Sequence, residues 1–303
     1  MVQAHRPSLV RIWFEAVRFP SFTATLIPVA MGGGFAVADR AFDGILFLLS
    51  LLAAILIQAG ANLINDYYDH IHGVDDEHSL SPSGVIQKGW LSPIQVRNGG
   101  LTCFLLAVFI GIYLVKSSGL FLVFIGILGI LLGYFYTGGP YPLAYRALGE
   151  AVVFLLMGPI TVMGTYYVQI HTLRPGIALG AIPVGLMTTA ILHANNLRDM
   201  EHDKKVNKKT LAILSGKRLA KREYYVLVGG AYLVQLLLIV VQILPLLSLV
   251  SFFTIPLAWR AVHLVHVHDS PLQLNLVLGL TVLLHLLYGT FLVLTMYIAT
   301  LLW

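Results

Sequence analysis

Two short runs gather amides and acids in a chemically suggestive pattern. One holds Asn62, Asn65, Asp66 and Asp69; the other holds Asn195, Asn196, Asp199 and Asp203. The spacings of three and four residues put the polar side chains of each run on one helix face. Carboxylates collected beside apolar sequence repel one another and resist desolvation, so something positive must compensate them. Two facing sets of hard oxygen ligands suit Mg²⁺, which takes few protein carboxylates and fills its shell with water and phosphate oxygens. The expected chemistry is therefore metal-assisted handling of a phosphate. Solvated helix ends are the plain alternative for either run alone. The alignment of Ala61, Asn62 and Asp66 with Ala194, Asn195 and Asp199 favours a duplicated, shared site. Asp75-Asp76-Glu77 adds a third acid group just after Gly73. No Walker loop, HExxH or GxSxG pattern competes with these runs. His263, His266 and His268 read as interfacial histidines, and Gly32-Gly33-Gly34 as a site of close helix packing.

The elements that must hold these residues are transmembrane helices. The chain has 303 residues, 58% of them hydrophobic and 11% charged, with a mean hydropathy of +0.84. Soluble domains carry about 25% charged residues, so a soluble fold and a disordered chain are both excluded. The single cysteine, Cys103, excludes a disulfide scaffold. Apolar runs of spanning length lie near 19–38, 42–64, 99–116, 119–137, 149–168, 175–194, 224–243, 245–260 and 274–301. They predict an all-α integral membrane protein, one domain over 1–303, with nine transmembrane helices around a central cavity. The first run lies behind Arg6, Arg11 and Arg18 and continues into the fold, so no cleavable signal is expected. With the N-terminus in the cytoplasm, sixteen lysines and arginines fall on the cytoplasmic side and three, Arg40, Lys116 and Arg174, on the other. The net charge of +5 thus reports topology, and no nucleic-acid partner is expected. Both acidic runs leave the membrane on the cytoplasmic side. A parallel repeat at one membrane edge argues against an ion-coupled secondary transporter, whose acids sit near the midplane of inverted repeats.

The motifs resemble those of the membrane aromatic prenyltransferases, the UbiA superfamily. The first motif is Asn65-Asp66-Tyr67-Tyr68-Asp69 with Asp75 beyond it; the second is Asp199-Met200-Glu201-His202-Asp203. Within the superfamily the chain looks most like the 1,4-dihydroxy-2-naphthoate polyprenyltransferases. Gln87-Lys88-Gly89, Tyr136-Thr137-Gly138-Gly139-Pro140, Tyr145 to Glu150 and Lys209-Thr210-Leu211-Ala212 fit that branch. One departure is Asn207-Lys208-Lys209 before Thr210, where the branch has Gly-Lys.

The resemblance implies transfer of a polyprenyl group from its diphosphate to 1,4-dihydroxy-2-naphthoate, with loss of carbon dioxide and diphosphate, in menaquinone synthesis. Another acceptor, such as 4-hydroxybenzoate, is the near alternative. It implies Mg²⁺ held by Asp66, Asp69, Asp75, Asp199 and Asp203, and diphosphate held by Asn62, Asn65, Lys88, Arg146, Asn196, Arg198 and Lys209. Arg18, Gln87, Tyr67, Tyr68, Tyr134 and Tyr136 are the residues expected around the acceptor or the prenyl cation, the rings acting through their quadrupoles. An interfacial belt or core packing is the alternative role of those rings. The expected location is the plasma membrane, with a cytoplasmic cap over a cytoplasm-facing site and the prenyl tail in the bilayer.

Overall fold

The computed structural model describes residues 7–75 and 83–302, so Arg6, Asp76 and Glu77 lie outside the described residues. A short amphipathic helix, α1 (Leu9–Ala16), leads through a 3-10 turn, Phe19–Phe22, into α2 (Thr23–Ala38). Asp43 caps α3 (Gly44–Ile71), accepting from the Ile45 and Leu46 amides at 2.8 and 3.0 Å. Ser92, Pro93 and Gln95 form a capping box that starts α4 (Pro93–Ser118), which returns along α3. The shorter α5 (Phe121–Phe135) follows.

A bent span comes next: α6 (Gly149–Leu155), a π-helical turn at Leu156–Ile160, and α7 (Thr161–Ile170). Pro159 lacks the amide that a regular helix needs, and Gly158 takes a non-helical conformation. Short α8 (Pro175–Gly180) leads into α9 (Ile182–Lys205). A β-carbon on Gly158 would stand 2.9 Å from the Gly185 Cα, so glycine is required where the bend meets α9. One-turn α10 (Leu211–Ser215), α11 (Lys217–Val240), a 3-10 stretch at Leu246–Thr254, α12 (Ile255–Val267) and α13 (Pro271–Leu302) complete the chain.

Eight helical segments among the described residues are long and apolar enough to cross a membrane, and α5 is a shorter apolar helix at the fourth expected position. The runs were expected in the right order, but their ends differ. The second helix extends from the expected 64 to Ile71, and the sixth from 194 to Lys205. In both cases the polar motif is therefore carried on about the last three turns of the helix itself. The reason is that hydropathy marks the apolar portion of a helix, whereas backbone hydrogen bonding continues beyond it.

The span containing α9 is the central one, buried over 67% of its apolar window against 17% for α3. It packs on α6, α11 and α13. Outward-facing Phe109, Phe124, Leu233, Phe253 and Leu276 leave an apolar exterior suited to lipid. Gly32 approaches α7 so closely that a β-carbon would meet the Val162 carbonyl at 2.6 Å; at Gly33 it would meet Phe47 at 2.8 Å. His263 stacks on Trp259, and the His266 and His268 carbonyls accept from Lys221, away from the acidic runs.

Candidate active site

The C-terminal ends of α3 and α9 open onto one cavity of about 720 Å³. Asn62, Asn65, Asp69 and Asp75 line it from one side; Asn195, Asn196, Arg198, Asp199, His202 and Asp203 line it from the other. Arg18 and Lys208 complete the polar end. Leu132, Val152, Leu156, Met157, Ile191, Leu278 and Val282 form apolar walls. A polar rim on an apolar tunnel fits a ligand with a charged head and a hydrocarbon tail.

Each acid has its own compensation. Asp66 is buried behind Arg18 and is held by the Arg18 guanidinium and the Ser83 hydroxyl. Arg18 reaches it from a left-handed backbone conformation, φ 56°, at the break between α1 and the 3-10 turn. Asp69 accepts from the Tyr145 hydroxyl and from Asn65 Nδ2 at 2.9 Å. Asp199 accepts two bonds from Arg198 at 2.7 Å and one from Asn195 Nδ2 at 3.2 Å. The amide-to-carboxylate bond between Asn65 and Asp69 thus recurs between Asn195 and Asp199, at the same spacing of four. Asp203 is 2% exposed; one oxygen faces Lys208 Nζ at 3.4 Å, and Oδ2 has no hydrogen-bond partner among the described residues.

The Arg18–Asp66 pair also fixes the approach of α1. Arg18→Met strands a buried carboxylate and is expected to cost about 3 kcal/mol of stability, seen as a lower Tm in detergent; adding Asp66→Leu should recover most of it.

The two acidic rims meet. The Lys208 ammonium lies 5.6 Å from the centre of the Tyr145 ring, whose hydroxyl binds Asp69, while the same lysine faces Asp203. His202 Nε2 donates to the Val74 carbonyl at 2.6 Å, joining α9 to the segment after α3. Burial opposes the charge on Lys208, but Asp69, Asp203 and Asp199 outweigh it and hold its pKa above the ordinary lysine value. Burial and then Asp69 push the Tyr145 phenol well up, so it stays a hydrogen-bond donor at neutral pH.

Other expected residues fall elsewhere. Arg146 and Lys209 are exposed and pair through their backbones as a one-residue β-bridge, with the Arg146 guanidinium 4.7 Å over Tyr141. Lys88 donates to the Ser83 carbonyl, faces Glu15 at 3.6 Å and lies over Trp90; it borders the Asp66 pocket without lining the cavity. Gln87 Nε2 reaches the Asp75 carbonyl at 3.4 Å. Tyr67, Tyr68 and Tyr134 form their own aromatic cluster, with Tyr68 and Tyr134 hydroxyls 2.8 Å apart, and only Tyr136 of the four expected tyrosines lines the cavity. Asn62 Nδ2 donates to the Val17 carbonyl and to Ser21, and so anchors the chain's start.

Sequence reasoning did not single out Ser83, Tyr145 or His202, and it named Lys209 while leaving open which of Lys208 and Lys209 faces the site. A signal for the lysine was present. Asn207 takes φ 56°, the left-handed conformation that asparagine tolerates in place of glycine. The next residue, Lys208, is the lysine turned inward toward Asp203.

Among the described residues no three carboxylate, imidazole or thiolate groups form a preformed metal cage. The donor set still fits Mg²⁺: it is all oxygen, the unpartnered Asp203 Oδ2 lies in a residue lining the cavity, and Mg²⁺ needs only one or two carboxylates beside substrate phosphates.

Fold and site together define a bundle of apolar, membrane-spanning helices with two acidic helix ends on one polar-to-apolar cavity. The chain belongs to the UbiA prenyltransferase family, whose family model matches residues 25–278. It is 35% identical over 213 residues to the 1,4-dihydroxy-2-naphthoate octaprenyltransferase of Bacillus subtilis, covering 70% of this chain and 68% of that protein. It is 33% identical over 279 residues to the enzyme of the same name from Haemophilus influenzae, covering 89% of this chain and 90% of that one. The fold is similar to that of a UbiA homolog from Archaeoglobus fulgidus bound to GPP and Mg²⁺, with TM-score 0.65, 17% identity, and 93% and 99% of the two chains covered.

Proposed function

We propose that this chain transfers a polyprenyl group from its allylic diphosphate to 1,4-dihydroxy-2-naphthoate, releasing carbon dioxide and diphosphate and giving demethylmenaquinol for menaquinone synthesis. The observation that carries this reading is the meeting of both acidic motifs on one cavity whose remaining walls are mostly apolar. The naphthoate prenyltransferase relatives support the choice of acceptor.

In this reading Asp69, Asp199 and Asp203, with Asp66 behind Arg18 and Asp75 at the rim, would hold Mg²⁺. Bound there, it supplies charge neutralisation for the departing diphosphate. Arg18, Arg198 and Lys208 bring fixed positive charge to the same end of the cavity, favouring the state in which the allylic C–O bond is breaking. Asn65, Asn195 and Tyr145 orient the carboxylates. The apolar walls exclude water from the prenyl cation and hold the isoprenoid. Tyr136 offers its ring to that cation. The tail continues between helices into lipid.

The topology we infer has nine spans with α5 as the fourth, the N-terminus in the cytoplasm, and the cavity mouth capped on the cytoplasmic face of the plasma membrane. The excess of lysine and arginine on that face supports it.

The test is prenyl transfer by purified protein, with the product identified by mass spectrometry. Transfer to dihydroxynaphthoate should stop in excess EDTA and return with Mg²⁺. Full activity in EDTA overturns the metal assignment. Prenylation of 4-hydroxybenzoate in preference to dihydroxynaphthoate overturns the acceptor.

A further inference from the structure

Among the described residues, Glu150 is the one buried carboxylate outside the two acidic motifs. It sits in the first turn of α6 and is 6% exposed. Its Oε1 accepts from Asn196 Nδ2 at 2.9 Å and faces His193 Nδ1 at 3.1 Å. His193 is fully buried, and its Nε2 lies 2.8 Å from the Ala220 carbonyl. A carbonyl only accepts, so Nε2 carries a proton. The ring is thereby pinned between Ala220 and Glu150. Whichever side of the Glu150–His193 contact holds the second proton, Oε1 remains the acceptor for Asn196.

This settles which way the Asn196 amide turns. Its nitrogen is committed to Glu150, and its Oδ1 has no hydrogen bond among the described residues. Asn196 lines the cavity, so Oδ1 is the atom left for a ligand. A carbonyl oxygen takes a hydrogen-bond donor or a hard cation. Diphosphate at neutral pH presents acceptors alone and is not recognised by it. A hydroxyl on an aromatic ring is a donor of the right kind, and a hydrogen bond from that hydroxyl leaves the ring richer in electrons where it must attack the prenyl group.

We propose that Asn196 Oδ1 accepts a hydrogen bond from a ring hydroxyl of the aromatic acceptor, and that Glu150 and His193 are positioning residues which hold it in that orientation. The inference rests on the dihydroxynaphthoate reading above. It moves Asn196 from the diphosphate to the acceptor. Mg²⁺, or a water bound to it, is the other partner this oxygen can take, and the experiment separates the two.

The test uses the full purified chain with Mg²⁺. Dihydroxynaphthoate and an unreactive prenyl thiolodiphosphate are titrated separately into wild type, Glu150→Gln, Asn196→Leu and the double variant. Each single variant should bind dihydroxynaphthoate about tenfold more weakly, while the thiolodiphosphate affinity and the Mg²⁺ half-saturation stay within about twofold. The double variant should be no weaker than Asn196→Leu, because Glu150 acts through Asn196. Additive losses remove Glu150 from the role. A change in Mg²⁺ half-saturation or thiolodiphosphate affinity in place of acceptor affinity assigns Oδ1 to the metal or its bound water and overturns the proposal. Asn196→Leu leaves the Glu150–His193 contact intact and carries the test if Glu150→Gln fails to fold. A wild type that binds no dihydroxynaphthoate brings down the acceptor reading and this inference with it. Wild-type binding that Asn196→Leu leaves unchanged brings down this inference alone.

Discussion

Asp203→Asn is expected to cut prenyl transfer by about 10³-fold at saturating Mg²⁺, with helix content and membrane insertion as in wild type. Asparagine keeps the shape and removes the charge. The loss should be large because Asp203 is almost fully buried, lines the cavity and has an oxygen that no group among the described residues satisfies. An unsatisfied buried carboxylate oxygen is costly to maintain, so a bound cation is the natural partner for it. The fold should survive the substitution. Lys208, the group facing Asp203, keeps the fields of Asp69 and Asp199 and is not left as a lone buried charge. The measurement is kcat under saturating substrates, beside a circular dichroism spectrum. A rate near that of wild type would take Asp203 out of the site.

The second large effect separates two adjacent lysines. Lys208→Gln should lower kcat by about 10²-fold, the usual loss when one fixed stabiliser of developing negative charge is removed. Lys209→Gln should stay within about twofold, as expected of a surface change. The backbone sets the difference. The left-handed turn at Asn207 reverses the chain after α9 and sends Lys208 back toward Asp203. Lys209 then pairs through its backbone with the Arg146 region and turns its side chain out. The raised pKa has a definite sign. The stabilisation from Lys208's charge is full below the ordinary lysine pKa and is lost only as pH passes the higher folded value. A large effect of Lys209→Gln with none from Lys208→Gln would reverse the assignment.

Much of the site was legible before any fold was known. Asn65, Asp66, Asp69, Asp199 and Asp203 announce themselves because acids at helical spacing beside apolar runs demand a counter-charge. Their partners were harder to find. Asp66 is held by Arg18 and Ser83, which are 48 and 17 residues away in sequence. Asp69 is held by Tyr145, 76 residues away. No local periodicity encodes such pairings. Tyr67 and Tyr68 show the converse. They sit inside the first motif, yet the helix turns Tyr68 toward Tyr134 and Tyr67 under the Arg97 guanidinium, and neither lines the cavity, since residues next to an acid on a helix point to a different face.

By itself the sequence determined a helical membrane protein, the order of its spans, and the two acidic helix ends. Length of apolar run and spacing of polar residues are local properties, and the bilayer leaves an α-helix few alternatives. Tertiary structure decided which cation meets which acid, which lysine faces inward, and which way the Asn196 amide turns. Those outcomes depend on contacts between segments far apart in the chain, where burial makes each unpaired polar atom costly and so selects one arrangement.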